Sequence, residues 1–297
     1  MGRLSARFTC SSIVVDHLLD FAYISGLDRP GNVERQKTGA TRYAMTFRCE
    51  HVFKWYYTRQ GQTPALEDVS FSAGEQDFIC IVGPSGCGKT TLLKLIAGLL
   101  QPSSGEIVFD AGSADPHPGA ALVFQEHGLF PWMSVLDNAA FGLEMQGVGR
   151  KERHRLAGEF IERVGLGAFA NHYPHELSVG MRQRVAIARA FVADPRILLM
   201  DEPFGSLDAQ TRLVLQEELL RLWKDHRKLV IYVTHDIEEA GLLGDRVLVM
   251  SGRPGRIRED IPVPLGRPRV VEDITEIKWH IWRTLRDEVR KSLHVAS

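Results

Sequence analysis

Eight consecutive residues, Gly83-Pro84-Ser85-Gly86-Cys87-Gly88-Lys89-Thr90, fit the pattern GxxxxGK[ST]. Glycines at 83, 86 and 88 let the backbone turn so that its N–H groups face inward onto an anion. Lys89 supplies a charge for the β- and γ-phosphates of a nucleotide, and Thr90, with Thr91 beside it, offers a hydroxyl where a Mg²⁺ would sit. By chance the pattern arises in on the order of 1% of chains this long. An apolar run, Phe78 to Val82, precedes it, and leucines at helical spacing from Thr90 to Leu100 follow it. That strand–loop–helix setting predicts a phosphate site at a helix N-terminus, and hence binding and hydrolysis of ATP.

A second acidic site follows at Ile197-Leu-Leu-Met-Asp201-Glu202. Only a strand deep in a sheet is this apolar, and ligands bind beyond the C-terminal ends of such strands. Asp201 is expected to hold Mg²⁺, directly or through water. Glu202 is placed to take a proton from an attacking water. Gln125 and His235 follow the short apolar runs Ala121 to Phe124 and Leu229 to Thr234. Both are read as γ-phosphate sensors, with Gln125 also near the metal.

The elements that must hold these residues alternate. Strands are expected at 46–57, 78–82, 106–109, 121–124, 197–200, 229–234 and 246–250. Helices are expected at 90–100, across 134–165 with a break near Gly147 and Gly149, and at 180–192 and 209–227. Buried apolar strands between helices imply an α/β fold with a mostly parallel sheet. Ile277, Ile281, Leu285 and Val289 recur at spacing four, one face of an amphipathic helix packed on its own domain.

These motifs, in this order, resemble the nucleotide-binding subunit of ABC transporters. The stretch Leu177-Ser-Val-Gly-Met-Arg-Gln-Arg-Val-Ala-Ile-Ala-Arg-Ala190 resembles that family's signature, usually LSGGQ, and Ser206-Leu207-Asp208 resembles its D-loop. The resemblance covers about Thr46 to Pro264. It implies a P-loop NTPase core with an N-terminal antiparallel β-subdomain, and an inserted helical subdomain at about 126–180, within an ATPase domain of 45–264. A C-terminal segment, 265–297, would follow.

Two such domains would pair head to tail, each ATP lying between one phosphate loop and the other subunit's signature. Ser178 and Gly180 would then contact the γ-phosphate across the dimer, Asp208 would lie beside them, and Tyr56 would stack on adenine. Trp55 and Tyr57 are neighbouring alternatives for the stacking role. Met181 and the segment Gly128 to Glu144 are similar to importers of nitrate, sulfonate and taurine. Phe130, Trp132 and Met133 are candidates for a groove that receives a permease. The implied partners are a second ATPase subunit, permease subunits and, indirectly, a periplasmic or lipid-anchored solute-binding protein. The implied location is peripheral, on the cytoplasmic face of a bacterial inner membrane. Val179 departs from the family's glycine. A β-branched residue resists positive φ and close backbone approach, so it is expected to slow turnover.

A non-transport ABC ATPase acting on nucleic acid or ribosomes is the competing class. Such proteins usually carry a long coiled-coil insertion or two ATPase domains, and neither is visible. The 297 residues carry a formal net charge of −1, which does not suggest a general grip on nucleic acid. Cys10, Cys49, Cys80 and Cys87 show no zinc or CxxC spacing, which favours a reducing compartment. Residues 1–44 lack a steady period. Two readings stand: a genuine extension outside the domain, or a start assigned too far upstream with Met45 as the true one.

Overall fold

The computed structural model describes residues 46–59, 61–110, 119–124 and 128–294. The expectations for residues 1–44, and for Gln125, lie outside them. Strand β3 (Phe78–Val82) is buried along its whole length. Its odd and even residues serve two different cores. Phe78, Cys80 and Val82 face one hydrophobic cluster, and Ile79 and Ile81 face the other. That double burial is why the strand reads as a continuous apolar run rather than an alternation.

β3 lies inside a six-stranded sheet of order β5-β6-β7-β3-β8-β9 among the described residues. The partners are β5 (Ala120–Val123), β6 (Ile197–Asp201), β7 (Leu229–Thr234), β8 (Arg246–Met250) and β9 (Ile257–Pro262). All neighbours pair in parallel except β8 with β9. A separate three-stranded antiparallel sheet, order β2-β1-β4, joins β1 (Thr46–Thr58), β2 (Gly61–Gly74) and β4 (Ser104–Asp110). Its inward residues Phe47, Val52, Leu66 and Val69 share a core with α1 (Lys89–Ile96) and one face of the large sheet.

The other face is covered by helices. These are α2 (Val135–Met145), α3 (Arg150–Arg163), α4 (Val179–Val192), α5 (Ala209–His226), α6 (Ile237–Leu243) and α7 (Thr275–His294). α2 starts where Ser134 accepts a hydrogen bond from the Asp137 amide, satisfying one of the helix's free N–H groups. Gly147 and Gly149 separate α2 from α3, as their low helix propensity predicts. On α7, Ile281 is fully buried, and Ile277 and Leu285 pack on the core.

The helix thus packs on its own domain, as its spacing implies. The opposite face exposes Trp279 and Trp282. Three elements were not anticipated, the antiparallel edge strand β9 (Ile257–Pro262) among them. β2 is masked by Pro64 and by an irregular register with β1. α6 has only seven residues, too few for a helical period to show.

Candidate functional site

β3 delivers the chain into the glycine-rich loop at Gly83. Gly88 caps α1 with φ of +108°, a conformation an L side chain rarely adopts. A Cβ there would also lie 2.7 Å from Leu66 Cδ2 and 2.9 Å from the Ala65 carbonyl oxygen. Lys89 is nearly buried, and its ammonium donates to the carbonyls of Gly83 and Pro84 at 2.9 and 3.2 Å. The loop therefore holds its own lysine over its mouth. Cys87 is buried, and burial pushes its thiol pKa up, an effect that nearby Lys89 partly offsets. It is a packed filler here, not a thiolate.

β6 ends at Asp201, beside the Thr90 side chain. Burial raises its pKa and Glu202 adds to that. Thr90, Lys89 and Lys94 pull the other way. Glu202 follows with φ of +45°. A non-glycine residue in that region is strained. It is held there by its own N–H, which donates to the Val233 carbonyl at 2.9 Å. The turn aims the Glu202 carboxylate at His235, whose Nδ1 lies 2.8 Å from Oε2. The strained backbone at Glu202 left no local mark in the residue types.

Of the three aromatics at the end of β1, Tyr56 faces the loop. Its hydroxyl lies 3.3 Å from Thr91 Oγ1 in the first turn of α1. Trp55 packs on Phe53 instead, and Tyr57 is 84% exposed.

Ser178 caps α4, accepting from the Met181 amide at 3.3 Å. Asp208 caps α5, accepting from the Thr211 amide at 3.0 Å, which lowers its pKa. The two caps are neighbours: a Cβ on Gly180 would lie 3.1 Å from Thr211 Cγ2. Val179 is the first residue of α4, outside the positive-φ residues. The expectation that a β-branched residue there opposes a left-handed backbone is therefore overturned. What remains is an exposed branched side chain at a helix N-terminus.

No hydrogen bond or ion pair links 83–91 to 177–181 among the described residues.

One close approach was not anticipated. Gly255, in the Ser251 to Ile257 stretch, lies against the loop's back. A Cβ there would sit 2.1 Å from the Cys87 carbonyl oxygen. The three groove candidates also divide. Phe130 is buried on Phe141 and under Arg189, Met133 is half-buried, and Trp132 is 61% exposed.

The model of the ABC transporter family matches residues 66–205. An ABC transporter ATP-binding protein of Methanocaldococcus jannaschii is 46% identical over 256 residues, 85% of this chain and 96% of that protein. This chain belongs to the ABC transporter ATP-binding family. A taurine import ATP-binding protein of Rhizobium johnstonii is 48% identical over 253 residues, covering 83% of this chain and 96% of that protein. An aliphatic sulfonates import ATP-binding protein of Bacillus anthracis is 44% identical over 226 residues, 76% and 89% of the respective chains.

Among solved structures, a dimeric bacterial ABC transporter cassette aligns with a TM-score of 0.65 at 32% identity. It covers 74% of this chain and 100% of that chain. A dimeric post-hydrolysis cassette bound to ADP and Pi gives 0.66 at the same identity and coverage. The α/β fold is that of a P-loop NTPase, and the protein is an ABC-type ATPase.

Proposed function

We propose that this ATPase powers import of a small sulfonate, taurine or an alkyl sulfonate, through a membrane permease. The import names of two relatives, each nearly covered end to end, support that class of cargo over a role on nucleic acid or ribosomes. No helix among the described residues is long and apolar enough to cross a membrane. A peripheral subunit at the cytoplasmic face, docked on a permease through the region of Trp132, is in keeping with that.

The contact between Glu202 and His235 carries the catalytic reading. In it, the loop amides of Ser85 to Gly88 and the N-terminal end of α1 hold the phosphates, and Lys89 turns from its carbonyls to the β- and γ-oxygens. Thr90 and Asp201 offer neighbouring hard oxygen donors, a fit for Mg²⁺. The ion would offset charge on the phosphates. Tyr56 stacks on the base and Thr91 borders the site.

Ser178 and Gly180 of a second subunit close the site, α4's positive end facing the γ-phosphate. Asp208 lies beside them. Glu202 accepts the proton of the attacking water. The new P–O bond forms as the β–γ bridging bond breaks, and ADP departs. His235 fixes Glu202 and faces the γ-phosphate, and positioning with electrostatics does the rest.

Glu202→Gln tests this directly. It removes the proton acceptor but keeps the shape. ATP binding should persist, turnover should fall by about a hundredfold or more, and a dimer should accumulate with ATP. Turnover at the parent rate would refute Glu202 as the base. The cargo is tested by growth on taurine or an alkyl sulfonate as sole sulfur source, with and without the gene.

A further inference from the structure

Behind His235 lies a buried carboxylate that none of the steps above uses. Glu239, on α6, is 5% exposed. It accepts hydrogen bonds from Tyr232 Oη at 2.6 Å, from Gln216 Nε2 at 3.0 Å and from Thr234 Oγ1. Tyr232 and Thr234 sit two apart on β7, so they share one face of the strand that leads into His235. Gln216 belongs to α5, the helix that begins at Asp208.

All three partners are arranged as donors, which suits an ionised, acceptor-only carboxylate. Burial pushes the Glu239 pKa up and these donated bonds oppose it. The three bonds tie β7, α5 and α6 to one side chain.

The other side of His235 is tied to the same helix. Thr234 Oγ1 accepts the Asp236 N–H at 3.0 Å. Asp236 caps α6 by accepting from the amides of Glu238 and Glu239. Its second oxygen pairs with Arg212 of α5 at 3.1 Å. Arg212 also donates to the Leu207 carbonyl, at 3.1 Å. His235 is thus flanked by two residues, each anchored to α5: Thr234 through Glu239 and Gln216, and Asp236 through Arg212.

We infer that Glu239 is a positioning residue for ATP hydrolysis: its three hydrogen bonds lock His235 against Glu202 and bind that pair to the Ser206 to Asp208 segment. Motion of that segment at the subunit contact therefore reaches the catalytic pair along α5. The inference rests on the roles proposed above for His235 and Glu202.

Glu239→Gln keeps the shape but places an amide donor against hydroxyls that are already donating. The full-length protein is assayed for steady-state ATPase and for binding of a fluorescent ATP analogue, with unfolding temperature recorded alongside. A displacement of His235 of about 1 Å is expected to lower kcat about ten- to hundredfold. KM and analogue affinity should stay within about twofold, because no phosphate-loop contact changes.

The decisive arm is the double variant. If Glu239 acts through His235, Glu239→Gln should add nothing to His235→Ala, since coupled residues are not additive. Gln216→Met, which removes one donor, should lower kcat in the same sense by a smaller factor, and serves if Glu239→Gln does not fold. A kcat unchanged in Glu239→Gln, or multiplicative losses in the double variant, overturns the inference. If His235→Ala alone leaves kcat intact, the catalytic reading fails first.

Discussion

Gly255 offers a stringent test of how the phosphate loop is held. Its N–H donates to the Ala65 carbonyl and its carbonyl accepts from Glu67, both at 2.9 Å. The residue is therefore stitched to β2 on one side and pressed on the loop on the other. Gly255→Ala would put Cβ 2.1 Å from the Cys87 oxygen, whereas real Cβ contacts essentially never fall under 3.0 Å. Something must retreat by about 0.9 Å, and Met250 Cε at 2.7 Å blocks another direction. Overpacking of this kind costs about 1–3 kcal/mol of stability.

The moving atom on the loop side belongs to the peptide that carries the Gly88 N–H. A shift that size takes one N–H out of bonding range of a phosphate. Losing one charge-assisted bond, worth about 1.5–3 kcal/mol, weakens nucleotide binding by about ten- to a hundredfold. Calorimetric titration with ATP, alongside thermal unfolding, measures both effects. Gly266→Ala, with nothing within 4 Å of its Cβ, is the control and should change neither. A Gly255→Ala protein with lowered Tm but unchanged ATP affinity would refute the reasoning, because it would mean that the 251–257 segment moves and the loop does not.

Three further outcomes follow from the geometry. Asp201→Asn removes a carboxylate whose pKa is raised mainly by burial. The folded state holds that proton more tightly, so stability falls as pH rises from the ordinary carboxylate range through the raised pKa. The variant should have a higher ligand-free Tm than the parent at neutral pH and a flatter stability–pH curve, yet lose Mg²⁺-dependent turnover; a lower Tm would contradict this. Val179→Gly should raise ATPase activity by allowing closer approach across the dimer, with backbone strain no longer a mechanism, and an unchanged rate would sink the idea. Gly158→Ala, inside α3 with open space around its Cβ, should stabilise the protein by about 0.5–1 kcal/mol, read from a denaturant midpoint.

The buried strands were legible because they are continuous apolar runs cut off by punctuation: Gly83 after β3, Asp201 at the end of β6, His235 after β7. Double burial leaves no polar residue to blur the ends. Loop chemistry was legible where residue type and spacing are themselves the mechanism, as at Lys89 and Thr90. What lay beyond reach depends on contacts far apart in the chain. Gly255 looks like any loop glycine until Cys87 is placed behind it.

Glu239 reads as one acid in an acidic turn until Tyr232, Thr234 and Gln216 close around it. Val179 shows the opposite error. Its replacement of a family glycine suggested a left-handed backbone, but Ser178 caps α4 one residue earlier and makes position 179 ordinary helix.

The place of β3 between β7 and β8 has a consequence for how the protein is made. The phosphate loop emerges well before the strands that flank β3, since both of these come from residues 229–250. Pairings over such sequence separations are slow to form, because the loop they close carries a large entropy cost. On the ribosome, β3 waits with two bare edges and an apolar surface, a species prone to aggregate or to need a chaperone. The nucleotide loop is thus translated early and completed late, and ATP can add to the chain's stability only after β7 and β8 have been synthesised.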